Sequence, residues 1–216
     1  MNTTTWTDLA SNAPGIGIAH EAARRRQAEG AGADRSWRLG ADGEQAVAAL
    51  LAELTTLSPL GRLRHPGRWR VLHSVPIGPR PRDLDHLAIG PPGVVTINTR
   101  HHPDGRLVLD GDELVVNGYP TDAIAKARRE ARVARSALAA ALRGAGRHDL
   151  AEQIAVRPVI AVVGGLLHAL RWPPDVTVVT STTLVHTLSA LPTRLDGRAI
   201  AAIYDVARRS TTWLGE

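Results

Sequence analysis

The feature that most constrains this chain is a pair of β-forming runs, Asp83–Ile89 and Val94–Thr99, joined by Gly90-Pro91-Pro92-Gly93. Alternating runs of this length around a Gly/Pro turn read as an antiparallel hairpin. If Ile89 pairs with Val94, then Leu87 faces Thr96, Asp85 faces Asn98 and Asp83 faces Arg100. Side chains alternate along a strand, so these four pairs share one face. That face is apolar near the turn and polar far from it, where two carboxylates, an amide and a guanidinium converge. Two prolines cannot supply the positive φ angles of a tight I′ or II′ turn, so a wider loop is expected, in which the register can slip. By the same alternation His86 points to the opposite face, where a satisfied core histidine is expected.

Around this hairpin the order of elements predicts an α/β fold with a mixed sheet flanked by helices. Asp42-Gly43-Glu44-Gln45 reads as a capped helix start, and Val47, Leu50, Leu51 and Leu54 continue it as an apolar stripe to about Leu57. Trp69–Val75 alternates like a strand. Arg106–Leu109 and Glu113–Val116 flank Asp110-Gly111-Asp112, a hairpin signal. A long helix is expected from about Thr121 to Arg143, stopped by Gly144 and Gly146. Val159–Val163 suits a buried central strand and Val176–Val179 another strand, with closing helices over Thr182–Leu188 and Gly197–Arg208. Residues 1–36, rich in Gly, Ala, Asn and Arg, read as a flexible arm with one short helix near Ile18–Gln27. Residues 37–165 read as the main domain, and 166–216 as a C-terminal strand and helices packing on it.

Composition narrows the chemistry. The 216 residues contain no Cys, which excludes disulfides, Cys–zinc sites and thiol catalysis. No apolar stretch is long and unbroken enough for a membrane span, and the N-terminus lacks the pattern of a signal peptide, so a cytoplasmic, membrane-free protein is expected. The formal charge of +5 favours polyanions such as nucleic acid. A single Lys among very many Arg and Ala, with no Phe, also fits the codon bias of a high-GC bacterium. Aromatic residues at 3% leave too few rings for a base-stacking platform.

The polar end of the hairpin has the makings of a phosphodiesterase site. Mg²⁺ is held by one or two carboxylates and keeps several waters. Such an ion polarises the phosphate and lowers the pKa of a water, and a nearby cation steadies the charge that develops. Further along, Gly40-x-x-Gly43-Glu44, Trp69-Arg-Val-Leu-His, Asp83-Leu-Asp85-His86-Leu-Ala-Ile-Gly90-Pro91, Gly93-Val94, Ile97-Asn98-Thr99-Arg100 and Leu114-Val-Val-Asn-Gly118 together resemble the NERD (nuclease-related) domain. The resemblance covers roughly residues 37–120 and extends more weakly to about Gly165. It implies the restriction-endonuclease-like fold of the PD-(D/E)xK superfamily and a nuclease that uses Mg²⁺ or Mn²⁺. It places Asp85 on the family's metal-binding aspartate and Glu44 on its early helical glutamate. Asn98 and Arg100 fall where an acid and a lysine belong. Asn98 offers a neutral oxygen without charge, and Arg100 keeps a charge but cannot readily pass a proton.

The expected metal ligands are therefore Asp85, Glu44, Asn98 and Asp83, with Arg100 facing the phosphate. Each has a structural alternative: an ion pair with Arg100 for Asp85, a solvated strand end for Asp83, the favourable first helical turn for Glu44. Arg100, His101, Lys126, Arg128, Arg129 and Arg132 are candidate nucleic-acid contacts. The last four lie off the helix stripe formed by Ile124, Ala127, Ala131, Ala134 and Leu138, on what is either a phosphate-facing strip or an ordinary solvated face. Three functions remain open at this stage: a Mg²⁺-dependent DNA nuclease, a degraded relative that binds nucleic acid without cutting, and a protein–protein interaction module. The sequence does not set the oligomeric state.

Overall fold

The computed structural model describes residues 5–17, 35–56, 69–78 and 83–214. The helix expected near Ile18–Gln27 lies outside the described residues. Among the described residues nine strands form two sheets. The first has five strands in the order β1 (Arg70–Pro76), β2 (Asp83–Gly90), β3 (Gly93–His101), β7 (Val156–Val163) and β9 (Thr177–Thr180). The second has four, in the order β6 (Tyr119–Thr121), β5 (Glu113–Val116), β4 (Arg106–Asp110) and β8 (Leu166–Arg171). In the first sheet β1, β2 and β3 are antiparallel neighbours, whereas β3, β7 and β9 run parallel. This is a mixed α/β architecture of restriction-endonuclease-like type, with helices against both faces of the main sheet.

Near the turn the hairpin register is the one expected, Ile89 pairing with Val94 and Leu87 with Thr96, but the expected outer pairs Asp85–Asn98 and Asp83–Arg100 do not form, because the ladder ends at His86 and Ile97. The expectation of a wide, slipping turn is corrected. Gly90 pairs directly with Gly93, and only Pro91 and Pro92 lie between them. The positive φ that the prolines cannot adopt is taken by Gly93, at 120°. Gly90 is also required by space, because a Cβ there would run into the Trp69 ring. The turn is pinned from outside as well: the Pro91 carbonyl accepts hydrogen bonds from the amides of Arg194 and Leu195, at 2.7 and 2.9 Å.

Helix α1 (Arg35–Thr55) starts seven residues before the expected cap, so Asp42 is an exposed residue inside the helix rather than its N-cap. Three of its four stripe residues hold: Val47, Leu51 and Leu54 are buried against Ala88, Val95, Ile97 and Val159, together with Leu184 and Leu188 of α4 (Ser181–Ala190), whereas Leu50 is half-buried and lies outside this core. The other face of the main sheet is covered by α2 (Ala123–Gly144) and α5 (Gly197–Ala207). There Leu138 and Leu142 pack with Leu87, Ile89, Val94, Ile200 and Ile203. A short helix, α3 (His148–Gln153), leads from α2 into β7. The second sheet caps the far end of α2, with Leu107, Leu109 and Leu114 against Ile124, Ile160 and Val178.

Of the expected N-terminal arm, residues 5–17 lie against the body. Leu9 is buried in the α2–α5 core, its amide donates to the Arg208 carbonyl at 2.8 Å, and Asp8 pairs with the Arg208 guanidinium. Among the described residues no helix is long and apolar enough to cross a membrane.

Candidate active site

The main sheet forks. The β2–β3 ladder ends at His86 and Ile97, while β3 continues beside β7 through Asn98, Thr99, Arg100 and His101. Asp85 is the first β2 residue past the end of the ladder. Its carboxylate accepts the Thr99 amide at 2.6 Å, replacing the backbone partner that the departing strand no longer supplies. A hydrogen bond to an ionised group is worth roughly 1.5–3 kcal/mol. Sequence alternation therefore put Asp85 on the correct face, and the fork fixes where its carboxylate lies.

Both faces of the sheet open onto this fork. From one side α1 delivers Glu44, which continues the Val47–Leu51–Leu54 stripe and is only 4% exposed. Its Oε2 accepts the Gly15 amide at 2.9 Å. Burial, and then the charge of Asp85, push its carboxyl up to about 8, against the pull of the Gly15 amide. From the other side α2 brings Glu130, 5% exposed, whose Oε2 accepts from Asn98 Nδ2 at 3.3 Å and whose Oε1 stands 3.4 Å from Lys126 Nζ. Burial raises Glu130 too, opposed by Lys126. Asp85 is raised by burial, opposed by Lys126, the Thr99 amide and Arg100, with Asp83 adding to the rise. Asp83, at the start of β2, is raised by burial. It lies so close to Gly17 that a side chain there would meet its carboxylate.

What this cluster leaves unmade is as informative as what it makes. Among the described residues, Asn98 Oδ1 and Arg100 Nε and one terminal nitrogen are buried without hydrogen-bond partners, as is Thr96 Oγ1 one step towards the turn. A buried polar atom without a partner costs roughly 1–3 kcal/mol, more for a charged group. Such atoms in a native fold call for a ligand or a strain to explain them.

The structure thus brings together Glu44, Asp83, Asp85, Asn98 and Arg100, and adds Lys126. The other proposed nucleic-acid contacts go elsewhere. His101 turns onto α1, its Nδ1 2.7 Å from the Leu39 carbonyl. Arg128 is held between Asp112 and Asp175, its terminal nitrogen 2.6 Å from each, so its charge is already answered. Arg129 and Arg132 are exposed. The four candidate basic residues of α2, Lys126, Arg128, Arg129 and Arg132, do not make one strip. Lys126 faces the fork, Arg128 ties the helix to the turn of the second sheet, and only the other two face solvent alone.

Glu130 was not among the sequence candidates. The signal was there: at helical spacing it falls between Ala127 and Ala134, on the buried stripe, where an uncompensated acid is costly. Gly15 was missed as well, because nothing local shows that its amide lies over Glu44.

The fold and the fork define a class, a restriction-endonuclease-like α/β domain with acidic and basic side chains gathered at the split between two central strands. The model of the nuclease-related domain, NERD, matches residues 39–163, more than half of the chain, and the chain belongs to that family. No curated protein and no solved structure matches it.

Proposed function

We infer that this NERD protein hydrolyses phosphodiester bonds of DNA with a divalent ion at the β2–β3 fork. The observation that carries the reading is the set of buried atoms without partners among the described residues, Asn98 Oδ1 and the two Arg100 nitrogens, set beside carboxylates raised first by burial and then, for Glu44, by the charge of Asp85. Lys126 and Arg100 offset these carboxylates only in part, since burial still holds Glu44, Asp85 and Glu130 above the usual carboxylate range; a cation relieves the remainder, and an anion engages the idle guanidinium donors. A metal-bound phosphate provides both.

The donors fit a hard divalent ion: carboxylate oxygens of Asp85 and Glu44 and the neutral oxygen of Asn98, with Asp83 nearby. Among the described residues no three His, Cys, Asp or Glu side chains form a ready-made metal cage. Mg²⁺ does not need one, since it keeps waters and takes substrate oxygens as ligands. When bound, the ion polarises a phosphoryl oxygen and lowers the pKa of a water. Arg100, with Nε and a terminal nitrogen unused, presents the geometry that grips two oxygens of one phosphate. The burial of Glu44 and Asn98 keeps bulk water from competing for those oxygens. In the reaction a water oxygen bonds to phosphorus, the P–O bond to one sugar oxygen breaks, and the departing oxygen takes up a proton as the water loses one.

The same Arg100 donors support a second reading, binding of nucleic acid without cleavage. Nicking of supercoiled plasmid separates the two. The nuclease reading expects nicking with Mg²⁺ or Mn²⁺ and none in EDTA. The binding reading expects no nicking, and affinity that survives EDTA but falls steeply with salt.

A further inference from the structure

Two residues of α2, Lys126 and Glu130, stand in the same cluster and are neither metal ligand nor phosphate contact in the reading above. We propose that α2 supplies what β3 lacks: Glu130 is a further carboxylate ligand of the divalent ion beside Asn98, and Lys126 is the ammonium that faces the attacked phosphate. This proposal rests on the nuclease reading and adds two residues to it.

Glu130 is placed like a ligand rather than like a surface charge. Its neighbours along the helix stripe, Ala127, Ala131 and Ala134, are all buried apolar residues, and it is itself 5% exposed. An ordinary i,i+4 pair sits with both groups on a solvated helix face. Here the acid is turned under the helix towards β3, and only Lys126 reaches the surface, its side chain 32% exposed. Asn98 connects the two elements. Its amide nitrogen donates to Glu130 Oε2 at 3.3 Å, and its amide oxygen, buried and unpartnered, is left as a second donor atom beside that carboxylate. A neutral amide oxygen and an adjacent carboxylate are together a hard oxygen pair of the kind Mg²⁺ and Mn²⁺ take. Asn98 alone brings no charge to the site; with Glu130 the pair brings one.

Lys126 is singled out by composition as well as by place. The chain has 26 Lys and Arg residues, and Lys126 is the one Lys among them. The position where Arg is not used is the one whose charge acts on Glu44, Asp85 and Glu130 together. The two cations differ in what they do. Arg presents a rigid planar fork that suits phosphate capture, the task left to Arg100. Lys is a compact point charge on a flexible stem that can follow charge as it develops on a phosphate.

The test uses the full chain, Mn²⁺ titrated alone by calorimetry, and nicking of supercoiled plasmid, with circular dichroism to confirm folding. Glu130→Gln is expected to weaken Mn²⁺ binding by about 10- to 100-fold, and Asn98→Asp added to it to recover most of that loss. Lys126→Gln is expected to bind Mn²⁺ as tightly as the wild type or more so, since a cation leaves the carboxylate cluster, while nicking falls by about 100-fold or more. A purely structural pair would instead lose metal affinity, nicking and melting temperature together in both variants, and that result overturns the proposal. It is overturned alone, with the nuclease reading intact, if the wild type binds Mn²⁺ and nicks DNA and both variants match it. If the wild type does neither, the nuclease reading falls and takes this proposal with it. Should Glu130→Gln fail to fold, Lys126→Gln decides, because its predicted split between metal affinity and nicking does not depend on the other variant.

Discussion

Asp85 and His86 are neighbours on one strand and lead to opposite kinds of polar cluster. On the His86 side everything is answered. Its Nδ1 lies 2.8 Å from His73 Nδ1, its Nε2 3.3 Å from Thr99 Oγ1, and the two imidazole rings meet edge-on with centroids 5.1 Å apart. Burial, and then the charge of His73, push His86 down to about 3, so it stays neutral at physiological pH. On the Asp85 side carboxylates face carboxylates, and an amide oxygen and two guanidinium nitrogens have no partner. Both clusters are buried and both sit where β2 and β3 part. Burial of polar groups therefore does not distinguish the two sides of this hairpin. Unsatisfied burial does, and it is the ground for proposing the Asp85 side as the site, because a closed hydrogen-bond network needs no ligand to complete it.

The contrast can be broken most severely at Asp85. Asp85→Ala is expected to reduce metal-dependent nicking by at least about 10³-fold, the loss of several kcal/mol of transition-state stabilisation. Full nicking by a clean preparation of that variant removes Asp85 from the site. The opposite face should respond in stability alone. His86→Ala strands His73 and opens a cavity, so it is expected to lower unfolding free energy by about 2–3 kcal/mol in urea titrations, with Mn²⁺ affinity unchanged. A weakened Mn²⁺ site in a folded His86→Ala protein would mean that the two clusters are not independent.

A smaller effect is expected at Arg100. Arg100→Ala removes idle donors and, with them, a charge that favours the ionised forms of Asp85 and Glu130, so stability should change little beside a fall in DNA affinity of about 10-fold or more. An unchanged affinity would leave its unpartnered nitrogens unexplained. The smallest effect is a slope with pH. In metal-free protein Glu44 titrates near 8, against 4.5 for an exposed glutamate. Between those values the folded state holds the proton more than the unfolded state does, so stability is greatest below about pH 4.5 and is lost as pH rises towards 8. Thermal melts in EDTA should show Glu44's share of this as a decline on the order of 1–2 kcal/mol, so that the slope is shallower in Glu44→Gln, with the raised Asp83, Asp85 and Glu130 supplying what remains. An equal slope in that variant would place the titrating group elsewhere.

How much of this was legible in the sequence follows from how local each signal is. The register of β2 and β3 near the turn could be read because alternation and the turn lie within one short stretch, although the turn itself is tighter than its prolines suggested. The inward orientation of Glu44 followed from helical spacing to Val47, Leu51 and Leu54. The start of α1 was misplaced because Asp42-Gly43 imitates a cap in the middle of a longer helix. The division into two sheets was not legible: β8 joins β4 in parallel across more than fifty residues, and such non-local pairing leaves no trace in a local pattern. Glu130 was obscured by its surroundings, since α2 carries so many charges that an acid turned inward looks like one more on the solvated face, and Lys126 was read only as one of a basic strip with Arg128, Arg129 and Arg132. Arg128 erred the other way, reading as free charge when Asp112 and Asp175, distant in sequence, already hold it.

On the proposed reading, the open cluster at the fork holds a divalent ion in order to cut DNA. Calorimetric titration of Mg²⁺ and Mn²⁺ into the wild type and Asp85→Ala, with plasmid nicking on the same samples, tests it most directly. The claim predicts metal binding and metal-dependent nicking in the wild type and neither in the variant; no metal binding and no nicking in the wild type would contradict it.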